Sequence, residues 1–121
     1  MKEQESGLEM VETYSQVGGV QYGIDWLLGL VFPMPFATLK IFPDAVAIEL
    51  NFLNLFRRNF TMKKAEISSV QRRRMPSLRG IRFHHSSSAC PPYLIFSGVD
   101  IEEVIESLQR NGISVTDSRS I

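Results

Sequence analysis

The stretch Tyr93-Leu-Ile-Phe-Ser-Gly-Val-Asp100-Ile-Glu-Glu-Val-Ile-Glu-Ser-Leu108-Gln-Arg-Asn-Gly112 sets the fold class, because the apolar period changes inside it. Pro91 and Pro92 open a nearly continuous apolar run, Tyr93 to Phe96, ended by Ser97-Gly98, which reads as a buried or closing β-strand. Beyond Gly98 the period becomes helical: Ile101, Val104, Ile105 and Leu108 fall at i, i+3, i+4 and i+7. Asp100 is a good N-cap, and Glu103 three residues on completes an acidic variant of the capping box. Glu102, Glu103 and Glu106 lie where the helix dipole favours negative charge, and Arg110 lies in the last turn. Asn111-Gly112 supplies a left-handed exit, with Ile113 placed to fold back on the helix end.

Upstream the text alternates. Leu39 and Ile41 alternate with Thr38 and Lys40, and Val46, Ile48 and Leu50 with Ala47 and Glu49, with a turn at Pro43-Asp44, so a β-hairpin is expected. Phe60 and Met62 between polar neighbours, Ile67 to Arg74 and Gly80 to His85 extend the pattern to about six strands. Residues 1–23 are polar, acidic and glycine-bearing without a sustained period, which predicts a flexible tail. Residues 24–35 begin with the most apolar run of the chain. Ile24, Leu27, Leu28 and Val31 form a helical stripe that Pro33 and Pro35 would stop, so a short helix or extension is expected. The folded domain is then 36–115, followed by a C-terminal tail, 116–121.

The chain has 121 residues, 44% of them hydrophobic and 21% charged, and no net charge. That is one domain's length with enough apolar content for one core. The nine-residue run Ile24 to Phe32 is far short of the roughly 20 residues that span a bilayer, so no transmembrane span is predicted. The repeated glutamates of Met1 to Glu12 do not read as a secretory signal. A single thiol, Cys90, excludes an internal disulfide and fits a reducing, cytoplasmic compartment.

The zero net charge hides a layout. Residues 1–39 hold one lysine against five acids, residues 40–85 ten basic groups against three acidic ones, and residues 86–121 two arginines against five acids. A basic middle between acidic ends suits association with an anionic surface, or mutual neutralisation of strands and helix within one fold.

A hairpin meander with basic strands and one amphipathic C-terminal helix resembles the pleckstrin-homology-like superfold, and is most similar to small bacterial PH-like and GRAM-type domains. The likeness lies in Leu39-Lys-Ile-Phe-Pro-Asp-Ala-Val-Ala-Ile48, Phe60-Thr-Met-Lys-Lys-Ala-Glu-Ile-Ser-Ser-Val70, Gly80-Ile-Arg-Phe-His-His85, Pro92-Tyr-Leu-Ile-Phe96 and the helix Asp100 to Gly112, and covers about residues 36–115. It implies a mainly β fold with α: an antiparallel barrel or meander of about six to seven strands closed by the C-terminal helix. It implies a non-catalytic binding domain that meets a protein partner, or attaches peripherally to anionic membrane at the inner face. Phosphoinositide-binding PH domains carry a Lys-x-n-Arg-x-Arg pattern across their first two strands. Here the first hairpin offers only Lys40, and the terminal helix lacks the tryptophan many such domains keep, Trp26 lying far upstream.

The anion- or lipid-binding candidates are Arg72, Arg74, Arg79, Arg82 and His84, expected on the outer face of neighbouring strands, with Arg57 and Arg58 behind a hairpin tip. Within a strand, Arg72 and Arg74 share one face and Arg73 takes the other. Phe52, Leu53, Leu55 and Phe56 put four large apolar side chains just before those two arginines. They suit a membrane's acyl boundary or an interface between copies of the chain, and a homo-oligomeric assembly protein using this run and the N-terminal segment is the alternative function. Nucleic acid is disfavoured, since the basic cluster has no aromatic platform free of the core. No metal is expected, because His84 and His85 point to opposite faces and Cys90 stands outside any ligand spacing. No cofactor motif, nucleophile elbow or phosphate loop appears, and no enzyme is expected.

Overall fold

The structure is a computed structural model that describes residues 12–24, 29–74 and 79–117. Among the described residues eight strands, β1 (Tyr14–Gly23), β2 (Gly29–Phe42), β3 (Ala45–Phe52), β4 (Phe56–Lys63), β5 (Ile67–Arg74), β6 (Arg79–His85), β7 (Tyr93–Gly98) and β8 (Val115–Asp117), form one sheet in the order β4-β3-β2-β1-β7-β6-β5-β8. All neighbours are antiparallel except β5 and β8. Among the described residues one α-helix, α1 (Ile101–Arg110), lies between β7 and β8, and one turn of 3₁₀ helix, Lys64–Glu66, links β4 to β5.

That three-residue link shapes the molecule. It joins an edge strand to one near the opposite edge, so the sheet must curl on itself. Lys64 N–H donates to Asp44 O and Ser86 N–H to Glu66 O, extending the β3–β4 and β5–β6 ladders into the link, and Cys90 Sγ–H donates to Thr61 O at 3.4 Å across the curl. The core fills the curl, with Val20, Leu39, Ile48, Phe60, Phe83, Phe96 and Leu108 essentially inaccessible to solvent. α1 plugs one open end with Val104, Ile105 and Leu108. Its ends follow its sequence except at the capping box, of which half forms: Asp100 N–H donates to Gln16 Oε1 at 3.1 Å, and the Glu103 carboxylate accepts from Tyr14 instead. Glu103 N–H donates to Asp100 Oδ1 at 3.2 Å, Gly112 has φ 83°, and Ile113 N–H returns to Leu108 O at 3.0 Å. Asn111 Nδ2 donates to Phe42 O at 2.7 Å and ties the helix exit to the sheet.

The mainly β class with one C-terminal helix stands, but the sheet is open and mixed. Eight strands replace the expected six to seven, β8 runs parallel to its neighbour, and no ladder among the described residues closes a barrel. The domain also begins earlier than expected. Tyr14–Gly23 is a central strand rather than a flexible tail, because its inward positions Gln16, Gly18, Val20 and Tyr22 alternate with a glycine among them. A Cβ on Gly18 would run into the Ser97 carbonyl oxygen and the Phe96 ring, so close strand approach removed the side chain that would have displayed the period.

The short helix expected at 24–35 is likewise corrected. From Gly29 onward the chain is strand, Val31 pairing with Gln21 and Phe32 with Val20; residues 25–28 lie outside the described residues, as do residues 1–11 of the expected tail. Pro33 and Pro35 do not stop the strand, because they sit in a bulge where residues 33–36 stand opposite Gly19 alone. The boundary at 36 therefore cuts β2, and β8 runs past 115 to Asp117; residues 118–121 lie outside the described residues. Among the described residues no helix is long and apolar enough to cross a membrane.

Candidate functional site

β1 is the ruler of the molecule. Tyr14 hydroxyl donates to Glu103 Oε1 at 2.8 Å and Gln16 Nε2 donates to Asp100 O at 2.9 Å, so this end of β1 lies under α1. Burial raises the Tyr14 hydroxyl pKa, with Glu103 adding to the rise. Gly23, nine steps of about 3.3 Å further on, lies about 30 Å away at the opposite, unplugged end.

Three connections meet at that end. A cleft of about 700 Å³ is lined by Tyr22, Ile24 and Leu30 from the β1–β2 hairpin, Arg58 from β4, and Cys90 and Pro91 from the loop before β7. The Arg58 guanidinium lies 5.9 Å from the Tyr22 ring centroid and 5.5 Å from that of Phe60, a cation held over two aromatic faces at the mouth of the core. The Tyr22 hydroxyl is buried and has no hydrogen-bond partner among the described residues. A buried hydroxyl without a partner costs about 1–3 kcal/mol, which suits a site that a polar group of a ligand completes.

The β3–β4 turn stands beside this cleft. Phe52 pairs with Phe56, leaving Leu53, Asn54 and Leu55 as the loop. Phe52 and Phe56 are half-buried, their ring centroids 5.5 and 5.6 Å from Phe32, with Phe36 4.8 Å from Phe52. Leu53 and Leu55 are 62% and 84% exposed. The four apolar interface candidates thus divide, two aromatics packed inside the molecule and two leucines presented outside it. Leu53 and Asn54 both have positive φ, 56° and 61°; for a leucine this backbone is strained by about 1–2 kcal/mol. Asn54 N–H donates to Asn51 Oδ1 at 2.9 Å, and Arg57 donates to Asn54 Oδ1 at 2.7 Å, so side-chain bonds hold the turn that displays the leucines.

The arginine-rich strands do not form the single patch expected. Arg72 lies on the inner side, opposite Ile81, and its guanidinium pairs with Glu102 of α1, whereas Arg82 and His84 lie on the outer side. Basic strand and acidic helix therefore neutralise each other at this point. The cause is a bulge at Ser68: Ile67 and Val70 both pack toward the core although an odd offset separates them, and Arg72 follows the parity of Val70. Arg82 lies 4.8 Å from the Tyr93 ring centroid. His84 Nε2 is 3.1 Å from Gln71 Oε1; burial lowers the His84 pKa, and Arg82, Arg73 and His85 lower it further. Arg79 is exposed opposite Arg74 in register; the Arg74 side chain lies outside the described residues.

No protein-family model and no curated protein matches this chain. Among the described residues no group of three or more His, Cys, Asp or Glu side chains gathers to hold a metal ion. His85 is held at both nitrogens, Nδ1 accepting from Ser87 N–H at 3.1 Å and Nε2 lying 2.9 Å from Pro91 O. The Cys90 thiol is buried, which raises its pKa and keeps it protonated.

Of the predicted site residues, then, the loop end gathers Arg57, Arg58, Leu53 and Leu55 around the cleft, and not Arg72 or Arg79, while Arg82, in register with Ile95 and Gln21, and His84 beyond it lie on the outer face of the sheet. Sequence reasoning missed Tyr22, Ile24 and Leu30. Their signal is Gly23 and Gly29 bracketing an apolar segment at a hairpin tip.

Proposed function

We propose that this chain is a non-catalytic binding domain of the pleckstrin-homology-like class that attaches peripherally to anionic membrane through its loop end, at the cytoplasmic face. The observation that carries the reading is the juxtaposition at one end of exposed apolar tips with two arginines: Ile24 and Leu30 at the cleft, Leu53 and Leu55 on the neighbouring turn, and Arg57 and Arg58 beside them. Such leucines can enter the acyl boundary while guanidiniums meet lipid phosphates, each basic group near the surface contributing about 1 kcal/mol. The charge layout agrees, since the acidic α1 is about 30 Å distant and turns away from an anionic surface in this orientation. The meander of hairpins with a plugging helix supports the class.

Vesicle sedimentation tests the reading. The protein is expected to bind phosphatidylserine vesicles at about 0.01 M salt and to bind less at about 1 M, where the screening length falls from about 30 Å to about 3 Å. A chain that ignores phosphatidylserine and phosphoinositide vesicles at low salt is not a membrane-binding domain. If it instead forms a dimer that Leu55→Asp dissociates, the leucines serve assembly.

A further inference from the structure

The outer face of the sheet carries a second cleft, far from the loop end in chemistry, and register explains why it exists. Arg73, Gly80, Ser97 and Gly19 stand side by side on β5, β6, β7 and β1. The adjacent row is Gln71, Arg82, Ile95, Gln21 and Val31. By the period of two these rows point to the same face, opposite the core. Two glycines and a serine in the first row leave a trench. Arg73 stands at one end, and the β2 bulge closes the other, where a Cβ on Gly19 would come within 2.7 Å of Phe32 O. Ile95 forms a wall; a Cβ on Gly80 would stand 3.2 Å from its Cγ2, so the absent side chain is what opens the space.

The trench encloses about 140 Å³ and is lined mainly by apolar atoms of Val31, Pro33, Met34 and Ile95. A cavity of about 150 Å³ lined by leucine, isoleucine and phenylalanine takes up benzene, so the volume suits one aryl ring or a short alkyl chain. Gln21 and Ser97 add polar side chains to the lining, and the charged group at its rim is a guanidinium. Arg73 makes no ion pair with an acidic group among the described residues, while Arg72 beside it is taken by Glu102. One guanidinium fork matches the two oxygens of one carboxylate.

We infer that this trench is a binding site for a small amphiphilic carboxylate, its aryl or short alkyl group lodged between Ile95 and the Pro33-Met34 bulge and its carboxylate held by Arg73. The site is independent of the membrane-binding reading: it uses the opposite sheet face and none of Arg57, Arg58, Leu53 or Leu55. Titrating 3-phenylpropionate into the isotope-labelled protein tests it. The amide signals of Val31, Gly80, Ile95 and Ser97 are expected to shift together and saturate. Arg73→Gln, and separately the neutral 3-phenylpropanamide with the wild-type protein, should each weaken binding about tenfold or more, the loss of one charge-assisted contact. Ser97→Leu should fill the trench and abolish the shifts, with an unchanged amide spectrum elsewhere showing that the variant folds. Shifts absent at millimolar ligand, shifts centred elsewhere, or equal affinity for acid and amide would overturn the assignment.

Discussion

Replacing Leu108 by alanine is expected to destabilise the protein by about 2–5 kcal/mol, the range for removing a fully buried leucine and leaving a cavity. Leu108 is 0% exposed and ends the stripe begun by Ile101, Val104 and Ile105. Its carbonyl also accepts from Ile113 N–H, where the chain folds back toward β8. The helix is a plug, so its stability is that of the curled sheet: without its apolar face, the end of the core would meet water. A urea titration reads the loss as a lower midpoint at unchanged slope. Gln109→Ala, one residue further on the exposed side, should stay within about 0.5 kcal/mol of the parent. A similarly small loss for Leu108→Ala would mean that α1 is not docked on the core.

The second large effect is functional. Arg57→Ala combined with Arg58→Ala should weaken binding to phosphatidylserine vesicles by about 2 kcal/mol, roughly thirtyfold. The two side chains leave β4 on opposite faces, Arg57 toward the Asn54 turn and Arg58 over Tyr22, and thus flank the leucines from both sides. Loss of the exposed Arg58 stacking should lower stability by only about 0.5–1 kcal/mol, so a lost vesicle interaction is not a lost fold. Arg79→Ala paired with Arg110→Ala removes the same charge away from the loop end and should leave vesicle binding nearly intact. Equal weakening by the two pairs would show that net charge, and not this end of the molecule, drives the interaction.

What the sequence displayed, and what it hid, follows from where side chains carry the signal. α1 was readable in its N-cap and its exit because Asp100, Asn111-Gly112 and Ile113 are local devices, whereas the Glu103 carboxylate, expected to close a capping box, is drawn away by Tyr14 of distant β1. The hairpin through Pro43-Asp44 and the buried strand at Tyr93 were readable for the same reason, although that strand lies in the middle of the sheet and closes no barrel. β1 was hidden because its close approach to β7 demands glycine at Gly18, erasing the alternation that marks a strand. The first part of β2 was hidden because Pro33 and Pro35 read as helix stops, whereas in the sheet they occupy a bulge that register alone reveals. The faces of Arg72 and Arg82 were separable only with the Ser68 bulge known, since one extra residue inverts the side on which every later residue stands. The loop-end cleft combines residues from β1, β2, β4 and the loop before β7, a conjunction made by the curl of the sheet and visible in no single segment.

Amide spectra of the labelled protein on phosphatidylserine vesicles doped with spin-labelled lipid test the orientation directly. Selective broadening of Ile24, Leu30 and residues 53–58, with Ile101 to Arg110 unaffected, is the result that membrane attachment by the loop end predicts. Broadening centred on α1 or on Arg79, or no broadening anywhere at low salt, would contradict it.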